Sequence, residues 1–121
     1  MQTRRKAVGG VFGWWPVRVF GPSMTPTLRS GDAVLARRGG RGVRPGDVVI
    51  ARFPARPDIG LVVKRAVRRQ GDGWWIQGDN DFVADDSRAY GIALVEARVF
   101  ARYWPRPGWV HGRPSRDEMP E

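Results

Sequence analysis

The sequence predicts an all-β fold with at most short helical turns. Three observations predict it: apolar residues fall in short runs, Gly, Pro and Asp divide those runs, and no stretch carries convincing helical periodicity. In chain order the runs are Val17 to Phe20, Ala33 to Ala36, Val48 to Phe53, Leu61 to Val67, Trp74 to Gln77 and Ile92 to Trp104. Each has a length that suits a strand, and Val, Ile and Trp pack well on a pleated surface.

Turn chemistry supports the divisions. Ser30-Gly31-Asp32 and Arg44-Pro45-Gly46-Asp47 are turn sequences, and Gly71-Asp72-Gly73 sits between two strand-like runs as a hairpin connection does. Met24 to Leu28 is read as one helical turn, because Pro26 is tolerated early in a turn and Thr25 can cap it. No internal repeat of useful length is visible.

A chain of 121 residues fits one domain. Residues 1–13 read as a flexible basic tail, 14–105 as the working domain and 106–121 as a loosely ordered Pro/Gly-rich tail. The sequence has no Cys, which excludes disulfides, thiol nucleophiles and thiolate metal sites. A formal net charge of +9 favours acidic partners, whether nucleic acid, anionic lipid or acidic protein, without choosing among them. Ala7 to Phe20 is shorter than the roughly 20 apolar residues of a membrane span and is broken by Pro16 and Arg18. Arg4, Arg5 and Lys6 look like the start of a secretory signal, but Trp14-Trp15-Pro16 is a poor apolar core for one and no small-residue cleavage site follows. Neither a span nor a signal peptide is expected.

The hydroxyl nucleophiles are Ser23, Ser30, Ser87, Ser115, Thr3, Thr25 and Thr27, and the single His, His111, lies in the C-terminal tail. A Ser/His/Asp triad is therefore not expected. The best remaining base is a neutral lysine, since burial can bring a pKa of about 10.4 down to roughly 7 to 8. Of the 21 basic residues 19 are Arg, which cannot be deprotonated, and only Lys6 and Lys64 are Lys. If Leu61 to Val67 is a strand, Val62, Lys64 and Ala66 share a face, and apolar neighbours penalise the ammonium. The same spacing fits a lysine reaching past its strand to water, so strand alternation leaves its role open. Asp79, Asp81, Asp85 and Asp86 fail the spacing of a calcium loop, and neither a metal site nor a cofactor is expected. The six tryptophans with the arginines would suit a nucleic-acid stacking surface, but paired tryptophans in strands more often cover a small core, so no nucleic-acid partner is expected.

Three motifs narrow the choice. Gly21-Pro22-Ser23-Met24-Thr25-Pro26-Thr27-Leu28 with Gly31-Asp32 resembles the nucleophile box of type I signal peptidases. Two further boxes follow in that family's order: Pro45-Gly46-Asp47-Val48-Val49 leading to Val63-Lys64-Arg65, and Gly78-Asp79-Asn80 followed by Asp86-Ser87-Arg88 and Tyr90-Gly91. The resemblance spans about Gly21 to Gly91 and implies a signal-peptidase-like, SOS-repressor-peptidase-like coiled β-sheet core, with residues 14–105 as the peptidase domain. It implies Ser23 as nucleophile, neutral Lys64 as general base, and Gly21, Pro22, Ser23 and Met24 around the oxyanion and substrate, with the Ser23 amide helping to hold the oxyanion. Asp79, Asn80, Asp86, Ser87, Arg88 and Arg65 fall to support, with Asp86, Arg65 and Arg88 resembling structural charge pairs. Two positions depart from the family pattern: Gly21 replaces a frequent hydroxyl, and Ala84 replaces a Ser that helps to orient the lysine, leaving Lys64 to Ser87, backbone or water.

The whole chain, including Gly73-Trp74-Trp75 and Arg102-Tyr103-Trp104-Pro105-Arg106-Pro107, resembles the small bacterial subgroup of nickel-type superoxide dismutase maturation peptidases. That resemblance implies a precursor-protein partner, the nickel-type superoxide dismutase precursor, whose leader is removed so that its new terminal amine can bind nickel. With Ser23 close to the first residue, the sequence leads to the expectation of a cytoplasmic enzyme, with peripheral membrane contact as the alternative. Other readings are a signal peptidase docking through Trp14 and Trp15, a self-cleaving repressor-type peptidase, and a basic nucleic-acid-binding module.

Overall fold

The computed structural model describes residues 2–5 and 13–110. It carries strands β1 (Gln2–Arg5), β2 (Trp14–Phe20), β3 (Ala33–Arg38), β4 (Val48–Arg52), β5 (Val62–Gln70), β6 (Gly73–Gln77), β7 (Leu94–Trp104) and β8 (Gly108–Trp109), with one short helix α1 (Ser87–Tyr90) between β6 and β7. The expected all-β class is what the chain adopts. All pairings are antiparallel, in the order β1-β2-β3-β7-β4-β5-β6, with β8 added to β7.

Strand β1 also meets β5, with Gln2 opposite both Phe20 of β2 and Val62 of β5. It thereby joins two strands that the rest of the sheet separates, and the sheet coils back on itself. Register shifts along β3/β7, β4/β7 and β5/β6 supply the bends that such coiling requires. The Gly71-Asp72 pair closes the β5–β6 hairpin with Gln70 opposite Gly73, as the turn residues predict.

Successive strand residues leave on opposite faces, and this sheet buries both. One face gathers Trp15, Val17 and Val19 of β2 with Val34, Ile50, Val63 and Val99. The other gathers Val49 and Ala51 of β4 with Val62, Ala66, Trp74 and Ile76. Lys64 lies in alternation between Val62 and Ala66 on β5 and is itself fully buried.

Helix α1 was not legible as a helix, because four residues are too few to show a 3.6-residue period. It forms because Asp86 caps it, accepting the Arg88 backbone N–H at 3.1 Å. The expected turn at Met24 to Leu28 is present, with the Leu28 N–H donating to the Met24 carbonyl at 2.9 Å. Of the expected N-terminal tail 1–13, residues 1 and 6–12 lie outside the described residues, while Gln2–Arg5 are a paired strand. Of the expected C-terminal tail 106–121, Gly108–Trp109 pair with β7, and 111–121, with His111 and Ser115, lie outside the described residues.

Candidate active site

The loop between β2 and β3 holds Ser23. It starts at Gly21, whose φ of +88° is a backbone state that a residue with a Cβ rarely adopts, and whose N–H donates to Ser30 Oγ at 3.2 Å. The hydroxyl frequent at this position in the family is thus replaced by a residue the turn itself favours. Thr25 donates to the Pro22 carbonyl twice, from its N–H at 3.1 Å and its Oγ1 at 2.9 Å. Met24 and Leu28 are fully buried and anchor the loop in the core. Asp32 closes it, accepting the Arg29 N–H at 2.8 Å and Arg102 Nη1 at 3.4 Å.

The segment after β6 clamps this loop. Asn80 donates its backbone N–H to the Ser23 carbonyl at 2.8 Å, and its Nδ2 to the Pro22 carbonyl and to Thr25 Oγ1, each at 3.1 Å. Asp79 accepts Nε and Nη2 of Arg65 at 3.0 and 2.6 Å and the hydroxyl of Thr27, and Arg65 Nη1 donates to the Gly46 carbonyl at 2.7 Å. This bidentate pair is almost wholly buried and ties three parts of the chain together. Gly78 lies against Ser23 so closely that a Cβ there would stand 2.6 Å from the Ser23 carbonyl oxygen. Asp86 accepts the Gly78 N–H at 2.9 Å together with Nε and Nη2 of Arg88 at 2.9 and 2.7 Å. Burial raises the Asp86 pKa, but hydrogen bonds from Arg88 and Gly78 outweigh it and hold the carboxyl below its ordinary value.

Lys64 enters from β5. In the β5–β6 register Arg65 faces Gln77, so one residue further along brings Gly78 level with Lys64. The Ser23 carbonyl rests on Gly78, so the loop that holds Ser23 lies beside the segment that follows β6, the strand paired with β5. Ser23 is 1% exposed and Lys64 0%, and neither Ser23 Oγ nor Lys64 Nζ has a hydrogen-bond partner among the described residues. Burial pushes the Lys64 ammonium below its ordinary pKa of 10.5, and the charges of Asp86 and Asp85 restore only part of the loss. Burial makes the neutral form of this amine, whose lone pair can accept a proton, easier to reach than in water, and a buried hydroxyl has a proton to give.

The structure brings together Gly21, Pro22, Ser23, Met24, Lys64, Arg65, Asp79, Asn80, Asp86, Ser87 and Arg88. Ser87 is buried, with its Oγ accepting the Ile76 N–H at 2.8 Å, whereas Ala84 is exposed. Sequence reasoning quoted Thr25, Thr27 and Asp32 within the nucleophile box without giving them this bracing role, and gave Arg102 none. It quoted Gly78 within a motif without seeing why a glycine stands there. No signal for Arg102 exists in local spacing, since its partners Thr27 and Asp32 are 75 and 70 residues away. Trp14 and Trp15 are not a docking pair: Trp15 is buried and Trp14 is half-buried, edge-on to Phe100. Among the described residues no cluster of His, Cys, Asp and Glu has the makings of a metal site.

The Peptidase S24-like family model matches residues 15–95. The chain is 33% identical over 124 residues to mitochondrial inner membrane protease subunit 1 of Homo sapiens, covering 81% of this chain and 71% of that protein. It is 36% identical to mitochondrial ATP-independent inner membrane protease subunit 1a of Arabidopsis thaliana, covering 72% and 68%, and 35% identical to subunit 1 of Schizosaccharomyces pombe, covering 74% and 73%. These relatives overturn the expectation of a cytoplasmic enzyme, because they point to membrane association. That expectation rested on the place of Ser23 close to the first residue and on the lack of an apolar span. No helix among the described residues is long and apolar enough to cross a membrane, but a protein can associate with a bilayer by its surface without one. The buried Ser23 and Lys64, the clamped loop and these matches agree with the resemblance read from the three motifs: the chain is a signal-peptidase-like protease and belongs to the Peptidase S24-like family.

Proposed function

We propose that this chain is a serine endopeptidase with a Ser23/Lys64 dyad that removes an N-terminal leader from a precursor protein. The observation that carries the reading is the pair of buried polar atoms, Ser23 Oγ and Lys64 Nζ, which have no hydrogen-bond partner among the described residues in a site whose other polar groups are closely bonded. Neutral Lys64 takes the Ser23 proton as Oγ attacks the scissile carbonyl, then returns it to the leaving amine as the peptide bond breaks. Water, deprotonated by the same amine, next attacks the acyl ester and frees Ser23. The Asn80, Asp79 and Gly78 contacts hold the nucleophile loop in register for the attack.

The substrate we propose is the precursor of nickel-type superoxide dismutase, supported by the likeness of the whole chain to that subgroup of peptidases. A peptide bond at the terminal nitrogen blocks it as a ligand, so cleavage gates nickel loading of the substrate. A second reading, a leader presented at a membrane, is favoured by the relatives named as inner membrane proteases. Incubating the protein and its Ser23→Ala variant with the dismutase precursor, and reading the product's N-terminus by mass spectrometry, tests the first. Cleavage by the parent alone, just before the nickel-binding His, supports it. An intact precursor alongside a cut membrane-borne leader replaces it with the second. Turnover by Ser23→Ala would refute the dyad.

A further inference from the structure

Strand β1 runs antiparallel to β2, from Arg5 opposite Val17 to Gln2 opposite Phe20, so its Gln2 end faces the part of β2 that leads into the Ser23 loop. Gln2 also stands opposite Val62 of β5, two residues before Lys64. One short strand thus bridges the strand that delivers Ser23 and the strand that carries Lys64.

An extended peptide has an N–H and a C=O to satisfy at every residue, and it does so by adding itself to a free strand edge. A scissile bond held across Ser23 and Lys64 needs that support next to both residues. The adjacent edges, at Phe20 and Val62, are already taken by β1. The site is also sealed: Ser23 is 1% and Lys64 0% exposed, with Ser23 Oγ and Lys64 Nζ both buried. No substrate carbonyl meets Oγ until part of the chain moves.

The holds around the site select the part that moves. Met24 and Leu28 fix the nucleophile loop in the core, and Asn80 and the Arg65–Asp79 pair clamp its other side. Strand β1 is four residues long, paired along β2 and meeting β5 at one register position. So short a strand at a sheet terminus opens at a small fraction of the free energy of global unfolding. Residues 6–13 join it to β2, which keeps it at roughly millimolar effective concentration and returns it to its seat.

We infer that β1 is an autoinhibitory strap: seated between β2 and β5 it blocks the peptide track to Ser23 and Lys64, and a precursor segment binds by displacing it. The inference rests on the Ser23/Lys64 reading and adds that the resting chain is closed. A strap seated in about nine molecules of ten raises the apparent KM about tenfold and leaves kcat unchanged, because only the open fraction binds peptide.

The test locks and releases the strap in the full chain. The sequence has no Cys, so Arg4→Cys with Arg18→Cys offers one disulfide, between opposed residues whose Cα separation of about 4.5–5.5 Å suits it. The substrate is a peptide library from a digested cell proteome, with cleavage read by mass spectrometry, so no leader is chosen in advance. The oxidised form should lose at least about tenfold in cleavage, and reduction of the same sample should restore it. Thr3→Pro with Arg4→Pro releases the strap, since consecutive N–H groups point to opposite edges and one of the two leaves the β1–β2 ladder. That variant should cleave about tenfold faster at low peptide concentration, through KM alone, with circular dichroism unchanged. Equal cleavage by oxidised and reduced forms, or a released variant with the parent's KM, overturns the inference and leaves the dyad standing. A pair that fails to oxidise also overturns it, because β1 then does not lie on β2. A chain that cuts itself ahead of Trp14, while its Ser23→Ala variant keeps its intact mass, makes β1 a substrate and overturns the strap. No cleavage by the parent, the reduced form or the released variant refutes the dyad itself, and the strap with it.

Discussion

Gly78→Ala isolates the positioning of Ser23 from its chemistry. The backbone at Gly78 is one that alanine adopts, so the substitution adds only a methyl group. That Cβ would stand 2.6 Å from the Ser23 carbonyl oxygen, 3.3 Å from its Cβ and 3.4 Å from its carbonyl carbon. Real Cβ contacts essentially never fall below 3.0 Å, so the two backbones must part by at least about 0.4 Å. The atom in the way is main chain, and the Asn80 N–H bonded to that same oxygen at 2.8 Å opposes the move. Forcing a methyl into such a contact costs about 1–3 kcal/mol, which lowers the melting temperature by roughly 4–12 °C for a domain of this size. A misplacement of about 1 Å can cost a hundredfold in rate, so about 0.4 Å should cost on the order of tenfold, in kcat rather than KM. The assay is thermal melting with steady-state cleavage of a precursor peptide. Gly108→Ala, whose new methyl meets nothing nearer than Arg102 Nη2 at 3.7 Å, is the control and should differ from the parent by less than about twofold. A Gly78→Ala protein that melts and turns over like that control would refute the claim that this close approach positions the nucleophile.

Lys64→Met should abolish cleavage while raising thermal stability near neutral pH, measured by melting and peptide turnover, because it replaces a buried amine with an apolar side chain of similar length. The sign follows from linkage: the folded-state pKa of Lys64 lies below its unfolded value of 10.5, so the penalty is fully present below the lowered pKa. Parent stability therefore gains as pH rises between the two values, and the Met variant should lack that gain. Cleavage should rise with pH through the same lowered pKa and then level off; an acidic optimum in a pH–rate profile would exclude a lysine base. Asp79→Asn should cost about 3–5 kcal/mol in denaturant melts, since it strands the nearly buried Arg65 guanidinium and frees Thr27. Asp86, held below its ordinary 3.8, contributes stability that is present above that value and lost as pH falls through its folded pKa, so Asp86→Asn should flatten the acid limb of the stability curve.

Strands were legible because β2, β4 and β5 each bury alternate or continuous apolar side chains whose pattern is written locally. Ser23 and Lys64 were singled out by motif order, whereas the place of Lys64 between Val62 and Ala66 left open whether its amine was buried or reached water, and the structure buries it. What was not legible depends on long-range closure. The pairing of β1 with both β2 and β5 and the reach of Arg102 to Thr27 join segments whose spacing carries no local period. The split among the tryptophans was equally hidden, since Trp15 and Trp109 differ in burial through the strand each occupies and not through composition.

The polar bonding around the site argues for its use. Asp79, Asn80, Asp86, Arg65 and Arg88 together make more than ten hydrogen bonds, and their burial is compensated. Against that background a buried hydroxyl and a buried amine without partners among the described residues each cost about 1–3 kcal/mol. Packing alone gives no reason to keep them, because Ala at 23 and Met at 64 would fill the same places without the penalty. A free-energy cost sustained at both positions, inside a frame that holds the Ser23 backbone, is what the proposed proton-transfer pair requires. In the proposed mechanism that frame keeps the lone pair of Lys64 and the hydroxyl of Ser23 from other partners until a substrate carbonyl arrives.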